Sequence, residues 1–108
     1  MTSKTTGSNG RRRKQVLQEV QQMIHTVLGR YPINVYLFGS WARGAPSRHS
    51  DIDVGIDPIT PLPPGALANL RECFEESSIP YRVEVVDLSA ANMRFREAVI
   101  HQGISWNA

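Results

Sequence analysis

The segment "FGSWARGAPSRHSDIDVGID", residues 38–57, places a Gly-Ser pair, an arginine and two aspartates one residue apart in one short stretch. On an extended strand Asp51 and Asp53 share one side with the bare Gly55, while Ile52, Val54 and Ile56 share the other. Neighbours of that kind lie roughly 6.5 to 7 Å apart along the strand. Carboxylates that close in to about 4 Å repel by on the order of 4 kcal/mol at an effective dielectric constant of about 20. A proton or a divalent cation relieves the repulsion, and oxygen-only ligands suit magnesium or manganese, which keep waters and share their shells with phosphates. Gly39 and Ser40 end an apolar segment, where a turn into a helix offers free backbone N–H groups and close approach to an anion. Ser40 adds a hydroxyl, and Arg43 adds a planar fork of donors for terminal phosphates. Taken singly, Gly-Ser is as well explained by a plain turn and Asp-x-Asp by a solvated strand face. Their order and spacing make the pair specific.

These residues need rigid elements to hold them. From about 12 to 29, Val16, Leu17, Val20, Ile24, Val27 and Leu28 recur at helical spacing and Gly29 stands where the helix should end. "INVYLFG", residues 33–39, is rich in β-branched and aromatic residues and reads as a central strand, followed at Ser40 by a short helix or turn. "DIDVGI" is a second strand. "PITPLPPG", residues 58–65, carries four of the seven prolines and reads as a loop, ahead of a helix at about 65–78 with Leu67, Leu70 and Phe74 as its stripe. "YRVEVVDL", residues 81–88, is a third strand with Tyr81, Val83 and Val85 on one side and Arg82, Glu84 and Val86 on the other. Ser89 is the expected cap of a last helix reaching about residue 102, with Phe95, Val99 and Ile100 as its apolar face; "ISW" then suits a short edge strand. The alternation predicts an α/β (α+β) fold: a mixed central sheet with helices packed mainly on one face and the acids on the other.

Composition bounds the rest. A chain of 108 residues has room for one core, which predicts a disordered basic tail at 1–12 and a single domain at 13–108. Five of the twelve basic residues lie in the first fourteen, leaving seven against all ten acids, so the body is mildly acidic and a strong nucleic-acid surface is not expected. The "RRRK" run fits contact with a phosphate or an acidic partner, and also a solvated flank. One cysteine, Cys73, excludes an intrachain disulfide or a cysteine-based zinc site. With no run long enough to span a membrane and an amphipathic, glutamine-rich stretch where a secretory signal would be apolar, the expected location is cytoplasmic.

"GSWARGAPSRHSDIDVGI" closely resembles the minimal nucleotidyltransferases of the DNA polymerase β superfamily, small proteins often called MNT domains; the likeness runs from about residue 13 to 106. That resemblance implies two divalent cations, magnesium or manganese, and transfer of AMP (or another nucleoside monophosphate) from a triphosphate such as ATP to a hydroxyl. It implies that Gly39, Ser40 and Arg43 hold the triphosphate and that Asp51 and Asp53 bridge the metals, with a third carboxylate on the third strand. Aspartate is usual there. The matching residue here is Glu84, which parity favours over Asp87. Such proteins commonly pair with a HEPN-domain protein, often a ribonuclease toxin, silenced by adenylylation; the implied role is the antitoxin of a HEPN/MNT pair. The competing readings are a binding module that neutralises its partner by occlusion, which glutamate in place of aspartate favours, and a two-metal nuclease, which gives no reason for the phosphate turn.

Arg48 and His49, in the loop before the acids, suit either substrate contact or a solvated loop, and His25 and His101 are too scattered for a metal cluster. Trp41 fits either packing beneath the turn or a partner surface. Trp106 is expected to cover a sheet edge, and Asp57 to be a simple strand-end residue.

Overall fold

The computed structural model describes residues 9–44, 46–47 and 49–107. The expectations for residues 1–8 and for Arg48 lie outside them. Helix α1 (Asn9–Leu28) begins ahead of the expected start near residue 12. Its buried residues, Val16, Val20, Ile24 and Leu28, recur every fourth position and so form one stripe. Gly29 closes the helix by donating its N–H to the His25 carbonyl at 2.8 Å.

Strand β1 (Ile33–Phe38) turns Val35 and Leu37 toward α1 and leaves Tyr36 and Phe38 on the opposite face. Strand β2 (Ile52–Pro58) pairs antiparallel with β1, and strand β3 (Val83–Asp87) pairs parallel with β2. The parallel pair requires a crossover, supplied by the proline-rich loop and α2 (Ala66–Glu75), whose Leu70 and Phe74 are buried. Ile52, Val54, Ile56 and Val85 meet the α1 and α2 stripes in one core. Burying each such side chain is worth about 1.5–3 kcal/mol. A two-residue strand β4 (Ile104–Ser105) pairs antiparallel with β1, giving a mixed sheet in the order β3-β2-β1-β4. Beyond it, Trp106 donates its N–H to the Val35 carbonyl, and Asn107 accepts from the Val35 N–H, both at 2.8 Å.

Two helices lie on the core face, as the one-sided strand patterns require. The third does not. Helix α3 (Met93–Gln102) packs on the face that carries the acids, held there by two contacts of its own and by one from the segment that leads into it. Leu88, fully buried, covers Gly55, where a Cβ would stand 2.9 Å from the leucine Cδ1. Arg96 donates Nε and Nη2 to the two Asp57 carboxylate oxygens at 3.2 and 2.9 Å. Phe95 packs edge-on to Phe38. Asp57 is therefore a buried anchor, only 7% exposed, and its fork-to-fork pairing with Arg96 explains why a charge can sit there. The N-cap of α3 is Asn92, not Ser89: the Asn92 side chain accepts from the N–H groups of Arg94 and Phe95, while Ser89 donates its N–H and hydroxyl to Asp87.

The close approach of Leu88 to Gly55 gives a thermodynamic cycle. Gly55→Ala should cost about 1–3 kcal/mol by overpacking, and Leu88→Ala about 2–5 kcal/mol by leaving a cavity. In urea unfolding the double variant should lose less than the sum, because the smaller residue 88 makes room for the new methyl; strict additivity would mean that the two side chains do not meet.

Candidate active site

The open end of the acid face is where β2 starts, β1 ends and β3 starts. Register puts Phe38, Asp53 and Glu84 in one row across β1, β2 and β3. Side chains paired in this way leave the same face of the sheet, so Asp53 and Glu84 stand side by side as parity predicted. Asp51 is two residues before Asp53, at the mouth of the strand. Glu84 is not turned into the interior: its side chain is 46% exposed and lies 3.4 Å from the Arg82 guanidinium. Asp87 is at the far end of β3, opposite Ile56, and accepts from Ser89. The acid that stands beside Asp53 is thus Glu84 and not Asp87.

Gly39 follows Phe38 with φ 77°, a conformation that glycine adopts freely, and a Cβ there would overlap the Asp53 carboxylate. Glycine is demanded twice over, once by backbone and once by space. No helix follows. The Gly39 carbonyl accepts from the N–H groups of Ala42 and Arg43, closing a turn over residues 39–44. Among the described residues the N–H groups of Ser40 and Trp41 have no backbone partner, which leaves them free for an anion.

The charges interact as well as adjoin. The Asp53 carboxyl is pushed above its ordinary value, first by burial and then by the negative charges of Asp51 and Glu84, while the Arg43 guanidinium pulls it back. Three residues named from sequence therefore act on one carboxylate. This excess of negative charge on oxygen donors fits a hard divalent cation. Among the described residues no three His, Cys, Asp or Glu side chains are placed to hold a metal ion by themselves, as a closed cage would. Magnesium seldom uses one, since it takes one or two carboxylates and completes its shell with water and phosphate.

Trp41 holds these segments in register. It is buried, its indole N–H donates to the Ser50 carbonyl at 3.3 Å, and its ring meets Tyr81 edge-on with centroids 4.9 Å apart. One side chain thus ties the 39–44 turn to the residue before Asp51 and to the approach to β3. Of the two places open to Trp41 from sequence, the structure chooses packing beneath the turn. His49 is exposed in a loop closed by Ser47 and Ser50, and His25 and His101 are exposed on separate helices.

The family model described as "Polymerase beta, Nucleotidyltransferase" matches residues 21–105. The chain belongs to the polymerase beta nucleotidyltransferase family. Within it, the chain is 37% identical over 65 residues to the Haemophilus influenzae "Probable protein adenylyltransferase MntA", a match covering 60% of this chain and 57% of that relative. The matched nucleotidyltransferase segment thus spans less than two thirds of the relative's length. A toxin-antitoxin crystal structure with AMP-PNP is similar at 26% identity and a TM-score of 0.68, over 84% of this chain and 73% of that one. The complex of a tri-AMPylated Shewanella oneidensis HEPN toxin with its MNT antitoxin is similar at 22% identity and a TM-score of 0.64, over 89% and 73% of the two chains. At that identity the last likeness speaks for the nucleotidyltransferase fold alone.

Crowding at Asp53 has a consequence for stability. Because the folded carboxyl titrates higher than in the unfolded chain, ionisation costs stability as pH rises through that raised value, and the cost is absent below about pH 4. Without added metal, Asp53→Asn should therefore unfold at a higher temperature than the wild type near pH 7, the two converging in acid. A variant less stable at neutral pH would show that the charges do not crowd.

Proposed function

We propose that residues 13–108 act as one nucleotidyltransferase unit that transfers AMP from ATP to a hydroxyl on a partner protein. The observation that carries this reading is the contact of the Gly39 turn with Asp53, itself flanked by Asp51 and Glu84. A phosphate-binding bend and a cluster of acids on one sheet end suit displacement at the α-phosphorus, chemistry that rests on positioning and charge neutralisation.

In this reading the N–H groups and hydroxyl at Ser40 bind the triphosphate, and Arg43 fixes its terminal phosphates. Asp51, Asp53 and Glu84 would hold two magnesium ions, with manganese as a substitute, which supply activation of the attacking hydroxyl and neutralisation of the departing pyrophosphate. Glu84, whose carboxylate is half exposed beside Asp53, would act as a metal ligand or as the base that takes the proton of the acceptor. The attacking oxygen bonds to the α-phosphorus, the α–β bridging bond breaks, and pyrophosphate leaves.

In this reading the hydroxyl belongs to another chain. By the resemblance that chain is a HEPN-domain toxin and this protein its antitoxin; a relative named as a protein adenylyltransferase and a similar toxin-antitoxin structure holding AMP-PNP support the reading. A cytoplasmic setting accompanies it. Among the described residues no helix is long and apolar enough to cross a membrane. A second reading, inhibition by occlusion alone, is favoured by glutamate in place of the usual aspartate and by the pairing of Glu84 with Arg82 at 3.4 Å.

Incubation of the protein with labelled ATP, magnesium and a HEPN-domain partner separates the two. Transfer predicts label on the partner and release of pyrophosphate; a partner bound and silenced without label supports occlusion. Asp53→Asn should lower transfer by at least about a hundredfold, since it removes a ligand rather than a supporting contact. Ser40→Ala should lower it by only about two- to tenfold, since one neutral hydrogen bond is lost while the backbone donors remain. Near-normal transfer by Asp53→Asn would refute the metal assignment.

A further inference from the structure

The row across the open end of the acid face does not stop at the carboxylates. Asp53 is flanked on β3 by Glu84 and on β1 by Phe38, the residue that leads into Gly39. Phe95, in the first turn of α3, meets Phe38 in a T-shaped pair with centroids 5.6 Å apart and planes at 81°. Phe95 is nonetheless 40% exposed, whereas Val99 on the same helix is buried. The fold uses one part of the Phe95 ring for packing and leaves the rest open beside a strongly polar site. Open aromatic surface at such a place suits a flat ring, because stacking needs no donor or acceptor.

A transferase must seat two molecules here, and they approach from different sides of Asp53. The acceptor belongs on the β3 side, where Glu84 stands half-exposed on the edge strand of the sheet. The triphosphate belongs on the β1 side, where Phe38 runs into the Gly39–Ser40 turn. The Phe38–Phe95 pair is on this second side. Resting on the function proposed above, we infer that Phe95, braced by Phe38, is the platform on which the nucleobase of the bound triphosphate stacks. Its contribution is to affinity and to the placement of the sugar and α-phosphate over Asp53. Stacking tolerates any base, so the platform sets how tightly a nucleotide binds more than which one.

Calorimetric titration of the full chain with magnesium-ATP and, separately, with magnesium tripolyphosphate tests this. Removing one base-stacking side chain weakens binding by about fivefold to a hundredfold. Phe95→Ala should therefore weaken ATP by at least that lower bound while tripolyphosphate, which has no base, binds as to the wild type. Phe95→Tyr, which keeps the ring, should bind ATP normally and guards against a folding defect in the alanine variant. The inference is overturned if Phe95→Ala binds ATP as the wild type does, or loses both ligands equally. It is also overturned if that variant binds ATP normally yet transfers poorly, which would assign the ring pair to the acceptor. A wild type that binds neither ligand overturns the proposed function as well, and so is distinguished from failure of the stacking platform alone.

Discussion

Charge crowding against a glycine is the constraint on which the site depends. Asp53 is partly buried, feels two other carboxylates and lies so close to Gly39 that no side chain fits between them. Burial and like charge both oppose ionisation, so the sheet holds the acids together at a cost in stability. The same apposition couples the turn over residues 39–44 to the acids: a residue larger than glycine at 39 would displace either the turn or the carboxylate. What makes the arrangement poor for folding makes it suited to divalent cations, which supply the missing positive charge and in turn attract phosphates.

The remainder of the molecule resists the relaxation that this crowding favours. On the core face, α1 and α2 lock β2 through Ile52, Val54 and Ile56, which fixes where Asp51 and Asp53 point. Trp41 spans the turn, the loop before Asp51 and the approach to β3, so the three segments cannot drift apart independently. On the acid face, Asp57 and Arg96 hold α3 over the far end of β2. A lone acid meets a fork-to-fork partner where the sheet is closed, and acids crowd one another where it is open. That contrast along one strand separates a structural acid from the candidate catalytic ones.

Much of this was legible in the sequence because it follows from parity. Alternation in "DIDVGI" fixes the sides of Asp51, Asp53 and Gly55, and alternation in "YRVEVVDL" selects Glu84 over Asp87; the register of β2 with β3 then puts Asp53 opposite Glu84. What was not legible depends on contacts between distant segments. Nothing local marks Trp41 as the link to Ser50 and Tyr81. Asp57 shares parity with Asp53, a usable sign that it too faces the acid side, but its pairing with Arg96 spans 39 positions and requires α3 to cross to that face. The cap moved from Ser89 to Asn92 because Asp87 engages Ser89 first, a competition that propensity does not register. Exposure of Phe95 was likewise hidden, since its spacing with Val99 reads as an ordinary apolar stripe.

The central claim is that Asp51, Asp53 and Glu84 serve as one set of metal ligands beside the phosphate turn. Counting bound manganese by electron paramagnetic resonance, with a non-hydrolysable ATP analogue present, tests it most directly. The account predicts a pair of ions per chain in the wild type and loss of at least one in Glu84→Gln, with the melting temperature preserved. Unchanged manganese occupancy in that variant would contradict it.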